Sequence, residues 1–252
     1  MRLLERLIEK PHACVYLPAE RACLEVCVMV DVSATETESL LERGWRRFGP
    51  TYFRPRCSHC SECVGLRIVV EQFAASKSQR RASRSCARLR RVVGLPRVDS
   101  ERLALYSKWH RAREQARGWE PNPQTADRYA LEFAFPHDCA REAAFYDDEA
   151  GGRLVGVGLF DEMPRSLSAA FFFFDPDYAQ RSLGTANVLA LVADARASDR
   201  AHVYLGFRVA GCPSLRYKSN FRPHELLRDR PGPDQPAMWT EAPAGGEPEA
   251  RA

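Results

Sequence analysis

The chain has 252 residues, 45% of them apolar, enough to bury a substantial core in one large or two small domains. Its 37 Lys and Arg against 33 Asp and Glu leave a formal charge of only +4, so net charge by itself demands no polyanionic partner. No apolar stretch reaches membrane-spanning length, and nine cysteines, an odd number with no secretory leader before them, argue against a disulfide framework and for a cytoplasmic setting.

In chain order, Cys14 stands in PHACVYLP, and CLEVCVMV reads as a strand in which Cys23, Glu25 and Cys27 alternate with Leu24, Val26 and Val28. A helix is expected next, opened by Ser33 with Glu36, or Thr35 with Glu38, as a capping box and closed by Gly44. TYFRP and GLRIVV are predicted strands flanking Cys57, Cys60 and Cys63, a C-x2-C-x2-C run. Thiolates at this spacing can converge on one metal ion or cluster, with Cys14 the upstream candidate for a fourth ligand. Zinc and an iron–sulfur cluster both suit four thiolates, and the alternative is a group of reduced, partly buried thiols. These pieces form an expected cysteine-containing α/β domain over residues 1–75.

Residues 76–98 read as a basic connecting segment. Between Ser76 and Arg91 there are seven basic residues and no acidic one, a pattern that suits phosphate neutralisation or a solvated helix face. The second domain, 99–228, opens with a helix in DSERLALYSKWHRAREQARGW, where Leu105, Trp109, Ala112 and Ala116 fall at helical spacing. Three strands follow in REAAFYDD, RLVGVGLFDEM and SLSAAFFFFDP, with Pro164 and Arg165 at the turn between the last two. A helix from Gly184 presents Val188, Leu191, Val192 and Ala195 on one face, and HVYLGFRV supplies another strand. Helix, antiparallel strands, helix, strand is the order of the GNAT acyltransferase fold. The expected class is therefore α+β, with a GNAT-like domain preceded by the smaller cysteine-containing one. Pro, Gly, Ala and Glu dominate residues 229–252, which read as a disordered tail.

Arg181 to Ala186 match R-x-x-G-x-A, the turn by which acyltransferases of this class offer backbone amides to a pyrophosphate. That keeps a CoA-dependent acetyltransferase as one reading. A noncatalytic, metal-containing nucleic-acid-binding protein is another.

HACVYLP, RGWRRFGPTYFRPRC, SKSQRR, FFFFDPDYAQRSLGT, YLGFRVAGCPSLRYK and FRPHELL, in this order between Pro11 and Leu227, resemble the arginyl-tRNA–protein transferase family. Compact length and the triple-cysteine run are more similar to its bacterial, aspartate/glutamate leucyltransferase branch. The resemblance implies an aminoacyl-tRNA used where relatives of the fold use acyl-CoA. Leucine, with arginine as the alternative, would be conjugated to proteins bearing N-terminal Asp or Glu, marking them for N-degron degradation. No organic cofactor is implied. Under it, Lys77, Arg80, Arg81, Arg181 and Gly184 are the candidates to meet tRNA, while Lys218 and Arg222 with Arg216 are those for the acidic side chain. Tyr217 and Asp175 are the catalytic candidates. Packing is the alternative for Tyr217, and turn formation for Asp175 and Asp177. An aminoacyl ester is already activated, so attack by a free α-amine of pKa about 7.7–8.0 requires positioning and oxyanion stabilisation more than a strong base.

Overall fold

The computed structural model describes residues 1–232 and 234–242. Strands β1 (Arg2–Ile8), β4 (Leu24–Val30), β5 (Arg46–Phe48) and β6 (Thr51–Pro55) form an antiparallel sheet in the order β1-β4-β6-β5, and β2 (His12–Ala13) pairs separately with β3 (Arg21–Ala22). Alternation along β4 turns Glu25, Cys27 and Met29 inward. The buried Glu25 carboxylate is neutralised by Arg6 and by Arg54, whose Nε lies 2.9 Å away. Helix α1 (Ala34–Glu42) opens with the expected Ser33–Glu36 capping box.

The larger sheet has eight strands in the order β14-β13-β7-β12-β11-β10-β9-β8. Its members are β7 (Val64–Val69), β8 (Arg90–Gly94), β9 (Ala140–Asp147), β10 (Arg153–Glu162), β11 (Ser166–Phe174), β12 (His202–Arg208), β13 (His224–Arg228) and β14 (Met238–Glu241). Between them run α2 (Lys77–Ser85), α3 (Ser100–Arg117), α4 (Ala126–Phe133), α5 (Leu183–Ala197) and the single turn α6 (Pro213–Arg216). Strands β9, β10 and β11 form the expected antiparallel meander, with Pro164 and Arg165 at its hairpin. The chain then crosses through α5 to β12, which lies parallel to β11 for three residues only, Ser166–Ser168 against His202–Tyr204. Val188, Leu191, Val192 and Ala195 of α5 pack on one face of the sheet, against residues such as Leu66, Val155 and Val203. Leu105, Tyr106 and Trp109 of α3 and Tyr129 and Phe133 of α4 cover the other, against Leu154, Val157 and Phe173. This is the α+β arrangement of helices, antiparallel strands, helix and strand expected from the element order.

Several expectations are corrected. Strand β7, assigned to a first domain ending at residue 75, pairs with β12 and β13, so the large sheet crosses that boundary. The segment 76–98 is no simple connector: it contains α2 and the edge strand β8. In α3, Ala112 is half-buried and Ala116 exposed, and Tyr106 carries the stripe instead. The expected tail contributes β14, held because the Trp239 ring covers Arg67 at 4.4 Å and its Nε1 donates to Glu42 O at 3.1 Å. Residues 233 and 243–252 of that expectation lie outside the described residues.

The N-terminal sheet is keyed into the larger one by buried polar contacts. Arg47 pairs with Asp161, Tyr52 Oη bonds His137 Nε2 at 2.8 Å, and Ser166 Oγ donates to Glu38 Oε1 at 2.6 Å. Among the described residues no helix is long and apolar enough to cross a membrane.

Candidate active site

Helix α2 is fixed at both ends. Ser76 and Gln79 cap its start reciprocally, and the buried Gln79 also sends Nε2 to Asn220 O at 3.1 Å. Near its C-terminus, Ser85 Oγ donates to Arg181 O at 2.7 Å, with Cys86 Sγ bonding the same carbonyl. The helix thereby spans from the 217–220 turn to the loop before α5. A groove of about 760 Å³ lies between these three segments, with Arg81, Ser182, Thr185, Tyr217 and Arg222 in its lining and no carboxylate there among the described residues.

Three features make this groove fit for a phosphorylated ligand. Lys77, Arg80, Arg81 and Arg84 are exposed on α2 and form no ion pair among the described residues. Arg88, Arg90 and Arg91, by contrast, pair with Glu149, Asp148 and Asp194. At the start of α5, Ser182 adopts φ 57° and provides no side-chain cap, so the first amides of the helix lack a side-chain acceptor. Tyr217 is 43% exposed and sits against Phe221, edge to face.

Behind the 217–220 turn lies a cationic seam. Arg46 reaches from β5 to the point where β11 and β12 part, donating from Nη1 to Ser168 Oγ at 2.8 Å and from Nη2 to Ala169 O at 2.6 Å. Gly206 beside it has φ 76°, and a Cβ there would stand 3.2 Å from Arg46 Nε, so the position demands glycine twice over. Lys218 Nζ donates to Phe207 O at 2.7 Å, on the same strand. Burial, then the nearby Arg46 charge, draws the Lys218 ammonium down to about 7, and burial draws the Arg46 guanidinium down to about 10. Neither forms an ion pair among the described residues. Sequence reasoning gave Arg46 no role, although it stands in RGWRRFGPTYFRPRC; the signal was a run of arginines whose partners were invisible.

The expected site residues divide accordingly. Arg81, Tyr217 and Arg222 line the groove, Lys77 and Arg80 stand on the helix that walls it, and Lys218 lies in the seam. Asp175 is outside the groove lining. It is buried, caps the turn before α5 through Asp177 N, and its carboxylate is committed to Lys108 and Arg153. Arg181 lays its guanidinium over Tyr178 and near Asp147, and offers the groove's frame only its carbonyl. Gly184 is absent from the lining, and a Cβ there would meet only Phe172 at 3.7 Å. Arg216 is exposed and likewise absent from it.

The four metal-ligand candidates are neighbours. Burial, then the proximity of Cys14, Cys57 and Cys60, pushes the Cys63 thiol up to about 12. Arg230 holds the carbonyls of Cys57 and Cys60 at 3.1 and 2.7 Å, and Cys57 Sγ donates to Cys23 O at 3.7 Å. In that arrangement no group of three or more His, Cys, Asp or Glu among the described residues is placed to hold a metal ion. The expectation of a closed zinc or iron–sulfur site is therefore not met. The run is held through its backbone, and the Cys57 thiol is directed to a carbonyl.

The family described as "Arginine-tRNA-protein transferase, C terminus" matches residues 101–228, and its N-terminus counterpart matches residues 12–81. The chain is similar to the aspartate/glutamate leucyltransferase of Helicobacter hepaticus, 30% identical over 240 residues, covering 95% of this chain and 98% of that one. It is 33% identical over 223 residues to that of Campylobacter jejuni, covering 85% and 89%. To that of Halorhodospira halophila it is 35% identical over 224 residues, covering 87% and 92%.

Proposed function

The chain belongs to the arginine-tRNA–protein transferase family, and on that premise we propose that it moves leucine from leucyl-tRNA to the α-amine of proteins beginning with Asp or Glu, marking them for N-degron degradation in the cytoplasm. The observation that carries this reading is the groove, which gathers the basic helix, the α5 entrance and the 217–222 segment around one space with no carboxylate in its lining among the described residues. The 3′ end of the charged tRNA occupies it. Arg81 and Arg222 meet terminal phosphates beside the start of α5, while Lys77 and Arg80 meet phosphates further along. Arg222, considered from sequence for the acidic side chain, thus serves the donor.

The acceptor amine enters beside Lys218 and Arg46. Positive potential there disfavours the ammonium form, so an amine whose ordinary pKa is about 7.7–8.0 arrives neutral without a dedicated base. The same charges stabilise the oxyanion formed as nitrogen attacks the ester carbonyl. Collapse expels the tRNA ribose oxygen, to which the Tyr217 hydroxyl relays a proton. Asp175 takes no part, because its oxygens hold Lys108, Arg153 and a backbone amide. The CoA reading loses its support, since Gly184 of the R-x-x-G-x-A turn does not line the groove.

Donor identity is tested with purified leucyl-tRNA and arginyl-tRNA offered separately with an Asp-starting peptide. Leucine addition is expected, and arginine addition in its place would overturn the donor assignment.

A further inference from the structure

Helix α3 crosses the sheet obliquely. Arg102 pairs with Glu142 of β9, Tyr106 and Trp109 pack on Phe171 of β11, and Arg113 lies by Phe174 at the end of that strand. Along residues 169–174, β11 forms no pairs with β12, and Ala170, the extra residue of a bulge, marks where the two part. Ala169, Phe171, Phe172 and Phe174 are consequently half-buried in the middle of an eight-stranded sheet. Such a gap connects the two faces. The donor groove, built from α2 and the start of α5, opens on the α5 face, and Arg46 reaches the gap at Ala169 O. The α3 face is left for the second substrate.

Arg113 stands on that face without a counter-charge. Among the described residues it forms no ion pair and no hydrogen bond; its half-buried guanidinium lies 5.4 Å from the Trp109 ring centre and 5.9 Å from that of Phe174. Burial, then the charge of Arg117, holds it below its usual range. The neighbouring acids are engaged elsewhere, Asp175 and Asp177 by Lys108 and Glu114 by His110. Trp109 is fixed edge to face by Phe171 and Trp119, each at 5.6 Å, and its Nε1 is buried without a hydrogen-bond partner among the described residues.

We propose that Arg113 binds the acidic side chain of the acceptor's first residue on the α3 face of the gap, an assignment that rests on the transfer reaction proposed above. A guanidinium held on an indole ring is oriented and partly stripped of water, which favours the two-point contact of a carboxylate over the amide of Asn. A carboxylate, which only accepts, also suits the neighbouring Trp109 N–H. Reach supports the placement. The Trp109 ring that carries Arg113 touches Phe171, two residues along β11 from the Ala169 carbonyl held by Arg46. In Asp and Glu only a few bonds separate carboxylate from α-amine, so a first residue anchored at Arg113 turns its amine back along β11 toward Arg46 and Lys218. A tRNA phosphate is the poorer occupant, because the basic helix α2 and the donor groove lie on the opposite face.

The test uses the full chain, purified leucyl-tRNA and dye-labelled peptides that begin with Asp or with its neutral isostere Asn. Binding is read by fluorescence anisotropy and transfer by kinetics. Wild type is expected to prefer Asp. Arg113→Met keeps an unbranched stem against Trp109 but removes the charge, so affinity and kcat/KM for the Asp peptide should fall about tenfold or more. The Asn peptide and KM for leucyl-tRNA should stay within about twofold of wild type. Arg113→Lys restores part of the loss, and Arg113→Gln serves if Arg113→Met does not fold. Arg111→Ala, which removes an exposed charge from the same helix, should leave the preference intact. An Asp preference that survives loss of the Arg113 charge, an equal loss for both peptides, a loss confined to KM for tRNA, an equal loss in Arg111→Ala, or no Asp preference in wild type would each overturn the proposal. Arg113-dependent, Asp-selective binding without transfer would leave the role of Arg113 standing and remove the transferase reading instead.

Discussion

Gln79 is the joint on which the donor groove depends. Its Oε1 accepts from Ser76 N at 2.8 Å and its Nε2 donates to Asn220 O at 3.1 Å, with the side chain buried. Gln79→Ala removes both bonds. At about 1 kcal/mol each the loss is about 2 kcal/mol, a shift of roughly 1 M in the urea midpoint for a typical slope of about 2 kcal/mol/M. The functional effect is larger than the loss of stability implies, because the N-terminal half of α2, with Lys77, Arg80 and Arg81, comes off the 217–220 turn. KM for leucyl-tRNA is expected to rise about tenfold. Ser76→Ala supplies the comparison: it breaks the cap at a cost of about 1 kcal/mol but leaves the tether to Asn220, so KM moves much less. Equal KM values for the two variants, measured under conditions where both are folded, would refute the claim that this tether shapes the groove.

Other predictions concern charge and thiols. Arg81→Ala should lower the salt slope of tRNA binding by about 0.7–0.9, whereas Arg88→Ala, paired with Glu149 at 3.1 Å, should leave it nearly unchanged; equal effects in filter binding would contradict the assignment. Burial depresses His137 and His202 each to about 4, against an unfolded value near 6.5. The unfolded chain therefore binds more protons between these values, and the contribution is complete above pH 6.5 and lost as pH falls through 4. The urea midpoint should drop from pH 7.5 to pH 5, less steeply in His137→Gln, and a wild-type midpoint that rises on acidification would contradict this. Arg230→Ala releases the Cys57 and Cys60 carbonyls, so iodoacetamide should label those two thiols several-fold faster by peptide mapping, while Cys63 stays slow; unchanged labelling would show that Arg230 does not hold the run.

Local signals in the sequence translated well. The Ser33–Glu36 box, the Pro164–Arg165 hairpin and the apolar face of α5 stand where periodicity and capping chemistry place them. What sequence could not convey was pairing. GLRIVV reads as a strand but not as the neighbour of β12 and β13, more than a hundred residues away in the chain, and so the expected domain boundary fell inside a sheet. Arg90 and Arg91 looked like part of a polyanion surface because the acids that pair with them come from the β9–β10 turn and α5. In the C-terminal segment, polar composition outweighed Trp239, the residue that anchors β14. Of the site, the basic helix and the Tyr217–Arg222 segment were legible as motifs. Their meeting in one groove was not, nor was the place of Arg46, because a motif carries no information about which side chains it faces.

Transfer itself remains the most direct test. The full chain is incubated with a mixed aminoacyl-tRNA pool and peptides that begin with Asp, Glu or Ala, alongside an Asp peptide with an acetylated α-amine, and the products are read by mass spectrometry. The expected result is a mass gain of one leucine residue on the free Asp and Glu peptides and none on the other two. No gain on any peptide, or equal gain on the Ala-starting one, would contradict the assignment of an aminoacyl-tRNA–dependent enzyme that reads an acidic N-terminus.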